Sequence, residues 1–300
     1  VSSLPAVSVI LPVLNEADNL ERCLESLAAQ DYQGKIEIVV AEGGSTDGTG
    51  ARLATWQKRL QLRSIPNPDR NQAEGLNRAA AAAAFPILVR ADAHTTYATD
   101  YVRTSVAALL ASDAVAVGGL QIPVASSPVG SAVAVAMRSP LAVGAAPFRR
   151  AAAAQPADTV YLGTFRKQDF LAIGGYQRLP SGVAEDSDLY FRWRQAGRTV
   201  LVDPAIRSTY LPRQSWSALF RQFFRYGIGK AEMAWRHRRF PSWRPLAPLL
   251  LILALIAAAL LLPRTALPLL LLLGLWLGAV GVAAARSQAS FARVLLAIVI

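Results

Sequence analysis

The stretch Val7-Ser8-Val9-Ile10-Leu11-Pro12-Val13-Leu14-Asn15-Glu16 opens the chain's regular structure and decides how the rest is read. Val7 to Leu11 alternate and branch like a buried strand, and Pro12 with Asn15 turns the chain at its end. Beyond it, Leu20, Leu24 and Leu27 recur at helical spacing, and Ile36 to Val40 forms a second strand before the turn-rich Gly43-Gly44-Ser45-Thr46-Asp47-Gly48-Thr49. A helix over Arg52 to Leu60, a short strand near Leu62 to Ile65 and an Ala-rich helix over Gln72 to Ala84 follow. Pro86 stops that helix, and Ile87 to Val89 makes a further strand. Strands alternating with helices predict an α/β fold around a doubly wound, mostly parallel sheet. Ligands of such sheets bind beyond the carboxyl ends of the strands, where Asn15, Glu42, Asp47, Asp92 and His94 all fall.

Two acidic stretches carry the chemistry. Asp92-Ala93-His94 ends the strand at Ile87 to Val89, and Glu185-Asp186-Ser187-Asp188 lies about ninety residues on. Paired metal-capable side chains with a second acidic cluster point to a site that holds a divalent cation against a diphosphate and deprotonates a neighbouring group. Cys23 is the chain's one cysteine, which excludes a disulfide framework; its setting in Leu20-Glu21-Arg22-Cys23-Leu24 reads as core packing on a helix. Residues Gln121 to Thr159, rich in Ala, Pro, Ser and Gly, read as loop and short helix over the site.

The C-terminal fifth differs in composition. Pro245 to Pro263 and Thr265 to Ala285 hold no charged residue and are separated by Arg264. Each run is close to the ~20 residues that cross a bilayer, so two spans are expected, near 246–263 and 266–285, with a third starting near 294. Residues 1–240 then make the catalytic part and 245–300 the membrane region. Arg221, Arg225, Lys230, Arg236, Arg238, Arg239 and Arg244 precede the first run, which by the positive-inside rule puts the large N-terminal part on the cytoplasmic side of a membrane, presumed to be a bacterial inner membrane. The formal net charge of +11 gathers beside these runs, so anionic lipid, not nucleic acid, is the expected partner.

Taken together, Val7 to Glu16, Glu42 to Thr49, Arg90-Ala91-Asp92-Ala93-His94, Ser139-Pro140-Leu141, Glu185-Asp186 and Gln222-Phe223-Phe224-Arg225-Tyr226 resemble the family 2 glycosyltransferases of the GT-A fold. The closer likeness is to the branch typified by the succinoglycan-biosynthesis glucosyltransferase, and it runs over roughly residues 5 to 240. The resemblance implies nucleotide-sugar binding by Pro12, Asn15, Glu16, Glu42, Asp47, Arg70, Asn77 and Asp92. Glu42 stands where the family usually has an Asp that meets the base. The alternative for Glu42 is an acid favouring a helix start, and for Asp47 a turn that uses Asp for its own backbone. Asp92 and His94 are implied as metal ligands. The imidazole favours Mn²⁺ over Mg²⁺.

Asp186 is implied as the general base, with Glu185 and Asp188 as competitors. Gln222, Arg225 and Tyr226 match a family pattern that ends in Trp, and are implied to contact diphosphate and acceptor. Gly174-Gly175-Tyr176 matches an acceptor-side strand and turn. The expected function is membrane-anchored, inverting transfer of a hexose, glucose from a UDP-sugar above all, to a lipid-linked saccharide in cell-surface or exopolysaccharide biosynthesis. Rivals are transfer to a polyprenyl-phosphate acceptor, with Arg213 and Arg221 as phosphate contacts, and a catalytically silent scaffold of a polysaccharide assembly complex.

Overall fold

A computed structural model describes residues 4–125, 127–138, 146–212, 215–240 and 246–261, with short pieces at 266–267, 270–272 and 274–275. They fall into two compact units, one drawn from 1–123 and 147–211 and the other from 124–146 and 212–300.

The first unit follows the expected alternation closely: β1 (Val7–Val13), α1 (Ala17–Ala28), β2 (Ile36–Glu42), α2 (Thr49–Trp56), β3 (Leu62–Pro66), α3 (Gln72–Ala82), β4 (Ile87–Arg90), β5 (Thr95–Tyr97), α4 (Tyr101–Leu110) and β6 (Ala116–Pro123). After the second unit's α5 (Pro128–Arg138) it resumes with β7 (Gln155–Pro156), β8 (Tyr161–Arg166), α6 (Lys167–Ala172), α7 (Glu185–Gln195) and β9 (Val200–Tyr210). The stretch expected as loop and short helix between 121 and 159 thus holds the end of β6, α5 and the two-residue β7.

The nine strands of the described residues form one sheet in the order β3-β2-β1-β4-β8-β6-β9-β5, with β7 on β9. Pairs β1–β2, β1–β4 and β2–β3 are parallel, as expected of the N-terminal half. The expectation of a mostly parallel sheet fails beyond β4. Strand β8 runs antiparallel to both β4 and β6, and β9 is antiparallel to β5 and β7 and parallel only to β6, so the sheet is mixed. The strand–helix–strand repeat that makes neighbours parallel ends there: between β6 and β8 the chain leaves the first unit through α5 and returns through β7. A bulge lets β6 change register against β9 between Gly118 and Leu120. Gly119 is needed there, because a Cβ would run into the backbone carbonyl of Ile206.

Side chains alternate across the sheet with the two-residue period of a strand. Val9, Leu11 and Val13 of β1 face one way and pack with Leu20, Leu24 and Leu27 of α1, Leu53 and Trp56 of α2 and Val102 of α4. Ile10 and Leu88 face the other way, onto Leu76 of α3, Phe170 of α6 and Leu189 and Trp193 of α7. Each fully buried Leu contributes roughly 1.5–3 kcal/mol, so the sandwich supplies a stiff base for loops at the strand ends.

In the second unit, α8 (Trp216–His237) starts at Ser215, whose hydroxyl accepts from the Ala218 amide at 3.4 Å, and α9 (Leu246–Leu261) follows. The span expected at 246–263 is, where described, this sixteen-residue helix, about 24 Å long at 1.5 Å per residue. No helix among the described residues is long and apolar enough to cross a membrane. The expected spans at 266–285 and from 294 lie outside the described residues, apart from short helical pieces between 267 and 275.

Candidate active site

The loops after β1 and β2 are laced together by one set of hydrogen bonds. The Asn15 amide donates to Ser45 Oγ at 2.9 Å, and the Thr46 amide returns a bond to Asn15 Oδ1 at 2.9 Å. Asn15 has φ of 54°, a left-handed conformation that Asn tolerates better than most residues. The Glu16 amide donates to Thr49 Oγ1 at 3.0 Å and the Ala17 amide to Asp47 Oδ2 at 3.0 Å. The Thr49 hydroxyl and amide donate to Asp47 Oδ1 at 2.5 and 3.1 Å. Asp47 therefore joins the starts of α1 and α2. Those bonds, first the one from the Thr49 hydroxyl and then the Ala17 amide, hold its carboxyl below the ordinary aspartate range.

Pro12 lies two residues past Ile10, the last β1 residue paired with β4, so the strands part where a ligand would enter. Glu42 ends β2, and its carboxylate accepts the Gly44 amide at 2.9 Å and the Ser45 amide at 2.7 Å. Partial burial pushes this carboxyl up, but bonds from Ser45 and Gly44 and the nearby positive charge of Arg70 outweigh it and leave the pKa lowered. Arg70 is exposed, at φ of 51°, in the loop between β3 and α3.

Asp92 follows β4 and is buried at 7% exposure, and its backbone is gripped from beneath. Its amide donates to the Tyr97 hydroxyl at 2.8 Å, and the same hydroxyl donates to the Asp92 carbonyl at 3.2 Å. The Cys23 thiol lies 3.7 Å from that carbonyl. His94, two residues on, keeps 37% of its side chain exposed; its Nδ1 lies 3.8 Å from Glu16 Oε1, and its ring meets Tyr210 edge-on at 5.9 Å.

Among the described residues, no group of three or more His, Cys, Asp or Glu side chains forms a ready-made metal cage. A Mg²⁺- or Mn²⁺-type ion that takes one or two protein ligands and completes its shell with phosphate and water needs none. Asp92 Oδ1 is buried and makes no hydrogen bond, its nearest cation being Arg90 Nε at 3.5 Å, so the carboxylate has capacity left and Asp92 with His94 fits such an ion.

Arg90 carries the site across the sheet. Its Nε lies 3.5 Å from Asp92 Oδ1 and its Nη2 donates to Glu185 Oε1 at 3.0 Å, with the guanidinium 5.4 Å from the Tyr176 ring centre. Burial works against the Arg90 charge, but Asp92, Tyr176 and Glu185 outweigh it and raise its pKa well above the ordinary value. Glu185 is pushed up to about 7, first by burial and further by Asp186 and Asp92, against the pull of Arg90. The four acidic-cluster residues begin α7, whose N-cap Ala184 has φ of 68°. Asp188 is fully buried and paired to Arg192 at 2.7 Å. Asp186 remains partly exposed, with Oδ1 accepting the Ser187 amide at 2.6 Å.

The structure thus brings Pro12, Asn15, Glu16, Glu42, Asp47, Asp92, His94, Glu185 and Asp186 to one end of the first unit. Asn77 has a different employment from the one expected. Its side-chain amide donates to the Tyr176 carbonyl at 2.8 Å and its Oδ1 accepts the Tyr176 amide at 2.8 Å, so both ends are committed to the backbone. Gln222, Arg225 and Tyr226 lie on α8 in the second unit, where Gln222 Nε2 donates to the Tyr226 hydroxyl at 3.0 Å. Ser139-Pro140-Leu141 and Arg213 lie outside the described residues.

Sequence reasoning missed Tyr97 and the bridging role of Arg90. Tyr97 gives no sequence signal, since an aromatic residue in a short strand reads as core. Arg90 did give one: an arginine closing the apolar run Ile87-Leu88-Val89 is buried and must find acids.

Comparison with known proteins agrees with this geometry. The model of glycosyl transferase family 2 matches residues 8–129. The chain is 35% identical over 251 residues to the succinoglycan biosynthesis protein ExoA of Rhizobium meliloti (strain 1021), covering 80% of this chain and 74% of ExoA. Among solved structures, it resembles the mannosyltransferase PcManGT from Pyrobaculum calidifontis in complex with GDP-Man and Mn²⁺, with TM-score 0.60 and 23% identity over 98% of this chain and 79% of that one. It also resembles S. aureus TarS 1–349 in complex with UDP, with TM-score 0.55 and 14% identity over 76% of this chain and 64% of that one. At these identities the structural likeness speaks for the fold, which is GT-A. Sequence likeness over most of both chains carries the further conclusion that this protein belongs to the family 2 glycosyltransferases, enzymes that transfer sugar from a nucleotide donor.

Proposed function

We propose that the protein is a membrane-anchored, inverting glycosyltransferase that moves a hexose, glucose from UDP-glucose, onto a lipid-linked saccharide at a cytoplasmic membrane face during exopolysaccharide synthesis. The observation that carries this reading is the Arg90 bridge, which puts the donor-side Asp92 and the acidic start of α7 in one site. The likeness to ExoA supports the polysaccharide context, and the apolar stretches after Arg244 support the anchor.

Each residue group has its own task. Glu42, with Arg70 close by, faces the nucleoside end of the donor, and the amides of the β1 and β2 loops border its phosphates. Asp92 and His94 hold the divalent cation, Mn²⁺ in preference to Mg²⁺, which when bound neutralises charge on the departing diphosphate. Asp186 takes the proton from the acceptor hydroxyl, whose oxygen forms the new bond to the anomeric carbon as the bond to the diphosphate breaks on the opposite face. The anomeric configuration therefore inverts. Asp186 is preferred as base because Glu185 and Asp188 are each buried against an arginine, whereas Asp186 is partly exposed.

The test is incubation of membranes with a panel of radiolabelled nucleotide sugars, with and without Mn²⁺. Label should enter the lipid fraction in wild type with UDP-glucose and Mn²⁺, and Asp186→Asn should lower the rate by about 10²–10⁴. Asp92→Ala should abolish the response to Mn²⁺. Undiminished transfer by Asp186→Asn would remove it from the reaction, and label remaining wholly water-soluble in wild type would remove the lipid-linked acceptor.

A further inference from the structure

A buried ion pair is an expensive way to fill a core, because apolar side chains of the same volume usually do as well or better for stability. Arg90 is 4% exposed, and its neighbourhood holds one guanidinium against two carboxylates, that of Asp92 two positions on and that of Glu185 ninety-five positions on. Its bonds are also incomplete: Nη2 is well bonded to Glu185, while Nε and Nη1 are buried without hydrogen-bond acceptors. An arrangement that leaves donors unpaired and crowds two acids onto one guanidinium is a poor structural solution. It suits a site in which Asp92 gives its charge to a bound cation and Glu185 remains tied to Arg90.

The surroundings hold Arg90 still. Tyr176, whose ring lies beside the guanidinium, is 1% exposed, and Asn77 of α3 clamps its backbone from both sides. Arg192 of α7 donates to the Ile173 carbonyl at 2.7 Å and also to the Gly175 carbonyl, fastening the same turn to the helix that carries Asp186.

We propose that Arg90 is a positioning residue that fixes the donor-side carboxylate of Asp92 and, through Glu185, the start of α7 at one separation, so that Asp186 stands at a set distance from the donor. This inference deepens the reading above and rests on it. Substitutions on the two sides of Arg90 should therefore act differently alone and overlap when combined. Glu185→Ala frees α7 and should lower kcat for lipid labelling at saturating UDP-glucose by about 10–100-fold, with little change in UDP affinity. Glu185→Gln keeps an acceptor for Nη2 and should recover much of that loss. Arg90→Lys keeps the charge but loses the fork, so it should weaken UDP binding in the presence of Mn²⁺ as well as lower kcat.

The experiment combines calorimetric titration with UDP, with and without Mn²⁺, with transfer kinetics for wild type, Arg90→Lys, Glu185→Ala, Glu185→Gln and the double variant Arg90→Lys/Glu185→Ala. Circular dichroism melts identify any variant that has simply unfolded. Support requires that the double variant lose no more kcat than the worse single one and that Glu185→Gln exceed Glu185→Ala by at least about fivefold. Independent, multiplying losses would overturn the proposal, as would Gln and Ala variants that behave alike. Failure of Arg90→Lys to fold would leave the Glu185 pair and its kcat-against-affinity split to decide the matter. Wild type that neither binds UDP nor transfers sugar would overturn the functional reading itself and this inference with it.

Discussion

At the residue scale, the hydroxyl of Tyr97 does a job that a phenyl ring cannot. It both accepts from and donates to the backbone of Asp92, so Tyr97→Phe strands a buried amide, while the carbonyl keeps the Thr95 amide at 3.1 Å. The expected loss is about 1–3 kcal/mol in urea unfolding, with weaker response of transfer to Mn²⁺; a variant as stable as wild type would show that Asp92 does not depend on this clasp. Glu185 makes a second prediction through linkage. Its folded pKa of about 7 lies above the ordinary glutamate value of about 4.5, so the folded state holds a proton that the unfolded chain has already released. Stability from this group is therefore present at low pH and declines as pH rises from about 4.5 to about 7. Relative to Glu185→Gln, wild-type Tm should fall across that window by on the order of 5 °C, read by scanning calorimetry on protein without added metal.

At the element scale, the first four strands and the three helices between them were legible because each carried one clear period: β1, β2 and β4 are apolar runs, and α1 repeats Leu20, Leu24 and Leu27. Ends were less so, since α2 finishes at Trp56 and not near Leu60, where the last turn is replaced by single-turn hydrogen bonds. The antiparallel β8 was not legible at all, because strand direction depends on the connection and not on the residues inside the strand. For the site, strand-end acids were readable from position, whereas Asn77 looked like a ligand residue and turned out to clamp a turn nearly a hundred residues away. That turn supplies a prediction. Gly175 has φ of 63°, and a Cβ there would lie 2.6 Å from Asn77 Oδ1, so Gly175→Ala should cost about 1–3 kcal/mol and lower transfer by disturbing Tyr176 beside Arg90. Denaturant titration checks the first part and membrane labelling the second.

At the scale of the whole molecule, charge and apolar surface are unevenly shared. Helix α8 bears exposed Phe220, Phe224 and Trp235 together with the basic residues Arg221, Arg225, Lys230 and Arg236. A helix of this composition suits an anionic lipid surface. The protein should co-sediment with vesicles containing phosphatidylglycerol more strongly than with neutral ones, and raising salt from about 0.1 to 0.5 M should weaken the difference. Equal binding to both vesicle types would take the basic residues out of membrane attachment.

One further feature is useful because it occurs once. Cys23 is sealed in the first unit's core against the carbonyl of Asp92, and burial, with Asp92 and Glu16 near, pushes its thiol pKa up. A maleimide reagent can reach it only when α1 lifts from the strand ends. The rate at which native protein becomes labelled is thus a clock for spontaneous opening of the core beneath Asp92, and slowing of that clock by UDP would report ligand occupancy without any acceptor being known.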